Sequence, residues 1–402
     1  MTTLKGIGWL KVDGLLTLGL WIFLLSLLIS RGTYSAGLIL MGLSLLLRGV
    51  YQQEPFNWTR ALGVFMALMT GSVLQGVLMA TDSPGDMVVP LFGSMVVVAG
   101  ILQLSPTPGS RIRWEPLLTA GLVFFVTLHL SYDVFWTRWP KFGKSALFTN
   151  IHYMAQFAVF TLPFLVMEAL RTLGRVRWLL VLVIFGDLWL LLESRSRPGY
   201  LSLIASVLVL LPHLGRGLRW QSLGLLLGVL GALYFGNVAH FQERINEMLL
   251  HFYEDERGEI WHESWLLQSK STPMEWALGH GLGQFAHDYQ VVSLLKRIKP
   301  YWSPHCFFFE ILYSHGLFGV MVMVAAGVIF FQQLLKAIKG SIGADRTLGL
   351  LLLSTATAEL VDGFFIIPFW SRNFLYPMSL VVGASFLYFQ RLSVTKKPLP
   401  RP

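Results

Sequence analysis

The chain has 402 residues, of which 54% are hydrophobic, 14% aromatic and only 13% charged, a balance too apolar for a soluble multidomain protein. Its formal net charge of +9 comes from Lys and Arg scattered between apolar segments, which argues against a basic face for nucleic acid. The single cysteine, Cys306, excludes an internal disulfide framework and a multi-cysteine metal site.

Apolar runs long enough, or nearly so, to cross a bilayer lie at about 14–30, 34–48, 61–80, 86–104, 116–132, 150–170, 176–193, 199–213, 220–237, 306–334, 347–366 and 373–390. The expectation is an all-α polytopic membrane protein with about twelve transmembrane helices. Helices 1–9 would fill residues 1–237, a larger outer loop 238–304, and helices 10–12 residues 305–402. Arg31 and Gly32 follow the first run without a small-x-small cleavage site, so that run is expected to remain as a span. With the N-terminus inside, more than half of the 31 Lys and Arg residues fall in inner loops or at inner helix ends, the bias that sets topology.

Departures from that bias mark candidate chemistry. Lys141 to Gln156 brings Lys144, Asn150 and His152 to the outer mouth of the sixth helix. Asp187, inside the seventh, is either functional or hydrogen-bonded to a neighbouring helix. The next outer turn holds Glu193, Arg195 and Arg197, against the positive-inside rule. Pro198 suits the first residue of the following helix, which would put Arg197 at the positive end of a helix dipole, where an anion binds. An arginine there can equally snorkel to headgroup phosphates or pair with Glu193.

In the outer loop, Glu247 to Leu267 has the apolar spacing of helices lying on the membrane surface. Arg257 sits there among Asp255, Glu256 and Glu259, and an ion-paired, solvated helix face is the plain alternative to a functional role. Gly279, Gly281 and Gly283 lack the flanking strand of a dinucleotide fingerprint and read as a tight turn. His262-Glu263 lacks the second histidine of a zinc-protease helix.

From Tyr301 to Gly319 a polar segment carrying His305 runs into an apolar helix. An imidazole there can act as a general base, or cap the helix. Gly316 and Gly319 would let a neighbouring helix approach closely. Asp362 and Arg372 bracket the last outer turn.

Together these residues resemble the bacterial O-antigen ligase and polymerase superfamily. His305-Cys306, nine residues, then Gly316-x-x-Gly319 is similar to its histidine motif. Ser196-Arg197-Pro198 resembles its Ser/Thr-Arg turn, and Arg257-x-x-Ile260-Trp261 its Arg-x-x-Leu/Ile-Trp motif. Asn150 resembles part of an Asn-Pro-Asn region, and the Asp362 to Arg372 turn has a counterpart. Cys306 and His152 depart from the usual residues.

The resemblance implies a GT-C-like glycosyltransferase of the inner membrane, with its active site on the periplasmic side. It would move a glycan from undecaprenyl pyrophosphate to lipid A-core oligosaccharide, or, as a polymerase, to another lipid-linked unit. His305 is the implied general base, and Arg197, Arg257 and Arg195 the implied pyrophosphate ligands. Lys144, Asn150, His152, Glu310, Asp362 and Arg372 are candidate cavity-lining residues. No cofactor or metal is expected, because guanidinium groups can supply the positive charge. A transporter is the rival class; it would place charges at the bilayer midplane and carry an internal repeat, whereas the unusual charges here cluster at the outer surface.

Overall fold

A computed structural model describes residues 15–23, 34–47, 60–79, 85–103, 151–194, 196–236, 242–243, 246, 256–296, 300–365 and 371–395. These are all-helical, with no strand among the described residues. In chain order the helices are α1 (15–23), α2 (Tyr34–Leu47), α3 (Arg60–Met79), α4 (Gly85–Gln103), α5 (Ile151–Arg171), α6 (Arg175–Glu193) and α7 (Arg197–Leu210). After a 3-10 turn, Leu211–His213, come α8 (Arg216–Phe235), α9 (Glu256–Ser269), α10 (Pro273–Leu278), α11 (Gln284–Lys296), α12 (Phe307–Lys339), α13 (Gly343–Phe365) and α14 (Arg372–Thr395). The run at 116–132 lies outside the described residues; each of the other eleven forms a helix at or near its expected place.

Among the described residues two helices, α12 and α13, are long and apolar enough to cross a membrane. Their surroundings differ. Leu317, Phe318, Met321, Val324, Val328 and Ile329 of α12 are exposed, an apolar band that lipid would cover. α13 is largely buried, packed against α5, α7, α12 and α14. Its sequence accounts for that position: Gly349, Ser354, Thr355, Ala356, Ala358 and Gly363 are small and buried, so neighbouring backbones come close. A Cβ at Gly363 would lie 2.5 Å from the Phe374 ring of α14, and one at Gly349 2.6 Å from the Tyr388 hydroxyl.

Three hydrogen bonds tie polar side chains inside the bundle to neighbouring helices, where no water is at hand to bond them. Thr161 Oγ1 donates to Asp187 Oδ2 at 2.5 Å, joining α5 to α6. That is the structural alternative for Asp187. Gln156 Nε2 of α5 donates to Glu359 Oε2 of α13 at 2.8 Å, and Ser354 Oγ of α13 to the Ser206 carbonyl of α7 at 3.2 Å.

α9, α10 and α11 form the outer-loop unit. Trp265 and Trp276 meet edge-on, with ring centroids 5.9 Å apart, between α9 and α10. Lys296 Nζ of α11 donates to both oxygens of buried Glu263 at 2.6 Å, so this carboxylate serves a salt bridge.

Candidate active site

The turn before α7 is built to hold one arginine. Ser194 closes α6, its N–H donating to the Leu190 carbonyl, and its Oγ accepts the N–H of Ser196 at 3.2 Å. Ser196 is the N-cap, its Oγ accepting the Gly199 N–H at 3.4 Å, with Pro198 fixing the first turn. α7 therefore starts at Arg197, one residue earlier than the proline alone suggests. A Cβ at Gly199 would lie 2.9 Å from both Ala155 and Leu191, so the turn is seated against α5 and α6. Arg197 is half-buried at the positive end of α7.

Two contacts fix what Arg197 stands beside. Ser354 bonds the Ser206 carbonyl, and the Arg346 guanidinium donates to the His213 carbonyl at 3.3 Å, so α7 and α13 run antiparallel. Continuing that register brings Arg197 level with Asp362 and Gly363. Asp362 is 1% exposed, and neither of its oxygens accepts a hydrogen bond. The charge acting on it is Arg257 of α9, half-buried above the end of α13. Arg257 thus lies near enough for its charge to act on a buried carboxylate.

One turn beyond Arg257, Trp261 sets the angle of α9. Its indole lies 6.2 Å from the Phe365 ring in a stacked arrangement, 6.4 Å from Phe364 and 6.3 Å from Phe309 of α12. Its Nε1–H donates to the Pro304 carbonyl at 3.1 Å. The residue after Pro304 is His305.

His305 has φ of +50°, the one positive φ at a non-glycine among the described residues. A left-handed backbone at a residue other than glycine costs about 1–3 kcal/mol and collects at functional sites. The ring packs edge-on against Tyr301 at 5.7 Å, and the His305 N–H reaches Ser303 Oγ at 3.4 Å. The N-cap of α12 is Cys306, the residue after His305. Glu310 is buried one turn into α12.

A family model described as O-antigen ligase matches residues 178–324, from α6 into α12. Over that segment the chain is similar to the O-antigen ligase/polymerase family. No curated protein matches it. Proteins of this family are integral to the membrane and glycosyltransferase-like. The matched segment contains Arg197, Arg257, Trp261, His305, Gly316 and Gly319, while Asp362 lies beyond it.

Of the other expected residues, Lys144, Asn150 and Arg195 lie outside the described residues. His152 and Arg372 belong to the first turns of α5 and α14, but their side chains are outside the described set. Both helix starts lie at the Asp362 end of α13, because Gln156 reaches Glu359 and Phe374 packs on Gly363.

The glycine turn does more than reverse the chain. Gly279, Gly281 and Gly283 all have positive φ, and so does Gly316, where α12 breaks. The break turns the carbonyls of Tyr313 and Ser314 outward. They accept the N–H groups of His280 (2.8 Å) and Gly281 (3.0 Å). Leu282 follows, buried among Met69, Leu91, Met95, Ile311 and Phe374. The outer loop is therefore locked into the bundle by backbone hydrogen bonds and an apolar plug. Gly316 does admit a close neighbour, the last turn of α10 and the glycine that ends it: a Cβ there would lie 2.5 Å from the Ala277 carbonyl and 2.6 Å from the Gly279 nitrogen. Gly319 answers to its own helix, since a Cβ would overlap the His315 side chain.

Spacing alone gave no signal for the groups that bind this lock. The His280 ring stacks on Tyr313 at 4.2 Å and its Nε2 lies 2.8 Å from Ser271 Oγ. The Tyr313 hydroxyl donates to Asp288 at 2.5 Å. Thr272 and Glu275 form a capping box at α10, and the Thr272 N–H holds the Glu275 carboxyl below its ordinary range. Burial likewise holds His280 below the ordinary imidazole range.

Both shifts mean that the closed loop binds fewer protons than the opened one, so acidification favours opening. The His280 contribution fades as pH falls below its ordinary value, and that of Glu275 in stronger acid. Amide exchange at His280 and Gly281, corrected for intrinsic rate, is expected to quicken between about pH 7.5 and 5.5, with His280→Gln flattening the change. Protection that increases on acidification would contradict this sign.

Proposed function

We propose that the chain is an O-antigen ligase, transferring a glycan from undecaprenyl pyrophosphate to lipid A-core oligosaccharide at the periplasmic side of the inner membrane. Twelve spans in a GT-C-like arrangement, with residues 1–237 and 305–402 flanking a periplasmic loop at 238–304, complete the reading. What supports it is that three separate elements lead to the end of α13 that holds Asp362: Arg257 acts on that carboxylate, Trp261 one turn later bonds the carbonyl before His305, and the register of α7 on α13 leads to Arg197.

The chemistry follows from those side chains. A glycosyl pyrophosphate already carries a good leaving group; what the protein must supply is orientation, charge stabilisation and a proton acceptor. Arg197 and Arg257 stay charged and meet phosphate oxygens with planar, bidentate geometry. They hold the pyrophosphate as the bond from the anomeric carbon to its oxygen breaks and the electron pair leaves with the phosphate. On the opposite face an acceptor hydroxyl forms the new bond and gives its proton to His305, so the anomeric centre inverts. Asp362 balances the guanidinium charge when no donor is bound.

Full-length protein in nanodiscs, given purified undecaprenyl-pyrophosphate-linked glycan, is expected to glycosylate lipid A-core. Activity should persist in chelator, while Arg257→Lys, which keeps the charge but loses the planar fork, should lose at least about tenfold. Elongation of a second lipid-linked unit in place of lipid A-core would make the chain a polymerase. Loss of activity in chelator, restored by magnesium, would move the charge-stabilising role away from the arginines.

A further inference from the structure

We infer that Trp261 is the positioning residue for His305, setting the distance between the proton acceptor and the pyrophosphate-binding Arg257; the inference rests on the ligase reading. Trp261 touches both halves of the site at once. Along α9 it lies four residues after Arg257, one turn away and on the same face. Its Nε1–H donates to the Pro304 carbonyl at 3.1 Å, and the next residue is His305 at φ +50°. A left-handed residue persists only where its surroundings hold it, and this hydrogen bond to the preceding carbonyl is one of those holds, alongside Ser303 and Tyr301.

The indole is itself immobilised. Phe309 at the start of α12 and Phe364 and Phe365 at the end of α13 surround it. The ring therefore refers Pro304-His305 to the end of α13, the feature beside which Arg197 and Arg257 stand. Neither a lipid-facing tryptophan nor a purely apolar anchor would need its N–H directed at this carbonyl. Trp261 touches no reacting atom. It acts through His305, and a displacement of about 1 Å at the base can cost about 10²-fold in rate.

The test uses full-length protein in nanodiscs with undecaprenyl-pyrophosphate-linked glycan and lipid A-core. Trp261→Phe removes the N–H. Replacing Trp261 by benzothienylalanine, introduced by codon reassignment, keeps the bicyclic ring and exchanges only N–H for sulfur, so it decides the matter even where the phenylalanine variant folds poorly. The benzothienyl variant is expected to turn over about 10–10²-fold more slowly, with unchanged donor affinity and a near-normal melting temperature. Combined with His305→Asn it should be no slower than His305→Asn alone, because both changes remove the same function.

A purely structural role would lower melting and donor affinity together and would add to the His305→Asn loss, overturning the inference. So would wild-type turnover by the benzothienyl variant while His305→Asn is inactive; the ligase reading would then stand without it. If His305→Asn itself retained turnover, the assignment of the base would fail and the inference with it.

Discussion

His305→Asn is expected to lose about 10²–10⁴-fold in turnover while keeping donor affinity and melting temperature, the range that general base catalysis typically contributes. Asparagine is the informative replacement because of the backbone. His305 sits at φ +50°, and asparagine enters the left-handed region more readily than other non-glycine residues, so the new side chain inherits the conformation at little cost. Cys306, not His305, is the N-cap of α12, so the helix start is unchanged. What disappears is basicity. The measurement is glycan transfer at one pH, alongside donor binding and a thermal melt. Normal turnover in the variant would leave His305 as a residue that shapes the loop; lost donor binding with normal melting would make it a pyrophosphate ligand.

How much of this was legible in the sequence depended on the range of the interaction. Local signals were reliable. Ser196, Pro198 and Gly199 mark a helix start through capping, fixed φ and small size, and α7 begins there to within a residue. The three glycines at 279, 281 and 283 marked a turn because positive φ is their particular freedom, and all three use it. Pairings distant along the chain left no local trace. Gln156 meets Glu359 across 203 positions, and a buried glutamate in an apolar run does not announce its partner. Asp362 was visible as a charge at a helix end, but its relation to Arg257 depends on the angle of α9, which Trp261 sets through aromatic contacts and one hydrogen bond. Gly316 was legible as a small residue at the close approach of another helix, and α10 is that neighbour. The break there was not legible, because a helical reading of residues 306–334 assumed an unbroken helix where the chain places φ +64°.

That break underlies the largest structural effect expected. Gly316→Ala should abolish the folded protein or cut its melting temperature severely, although a single methyl group is added. Gly316 has φ +64° and ψ −167°, a region essentially reserved for glycine, and another residue there costs about 1–3 kcal/mol. The methyl carbon would also sit 2.5 Å from the Ala277 carbonyl carbon and oxygen and 2.6 Å from the Gly279 nitrogen, all backbone atoms that cannot rotate away. Relieving that overlap means separating α10 from α12, which breaks the bonds from His280 and Gly281 to Tyr313 and Ser314 and withdraws Leu282 from its apolar pocket. Two hydrogen bonds at about 1 kcal/mol each and a buried leucine at about 2 kcal/mol, added to the backbone cost, approach the whole stability of a typical domain. Gly279→Ala approaches the same contact from the other side, its Cβ 2.4 Å from the His315 nitrogen, so the double variant should be less destabilised than the two single effects added together. Gly327→Ala is the control: it lies on the same helix with open space around it, and should melt at or slightly above the wild-type temperature. Thermal melts of the four variants and the wild type in one detergent make the comparison. A Gly316→Ala protein that melts with the wild type would mean that the turn is not locked into α12, and that Arg257 and His305 are held together by some other contact.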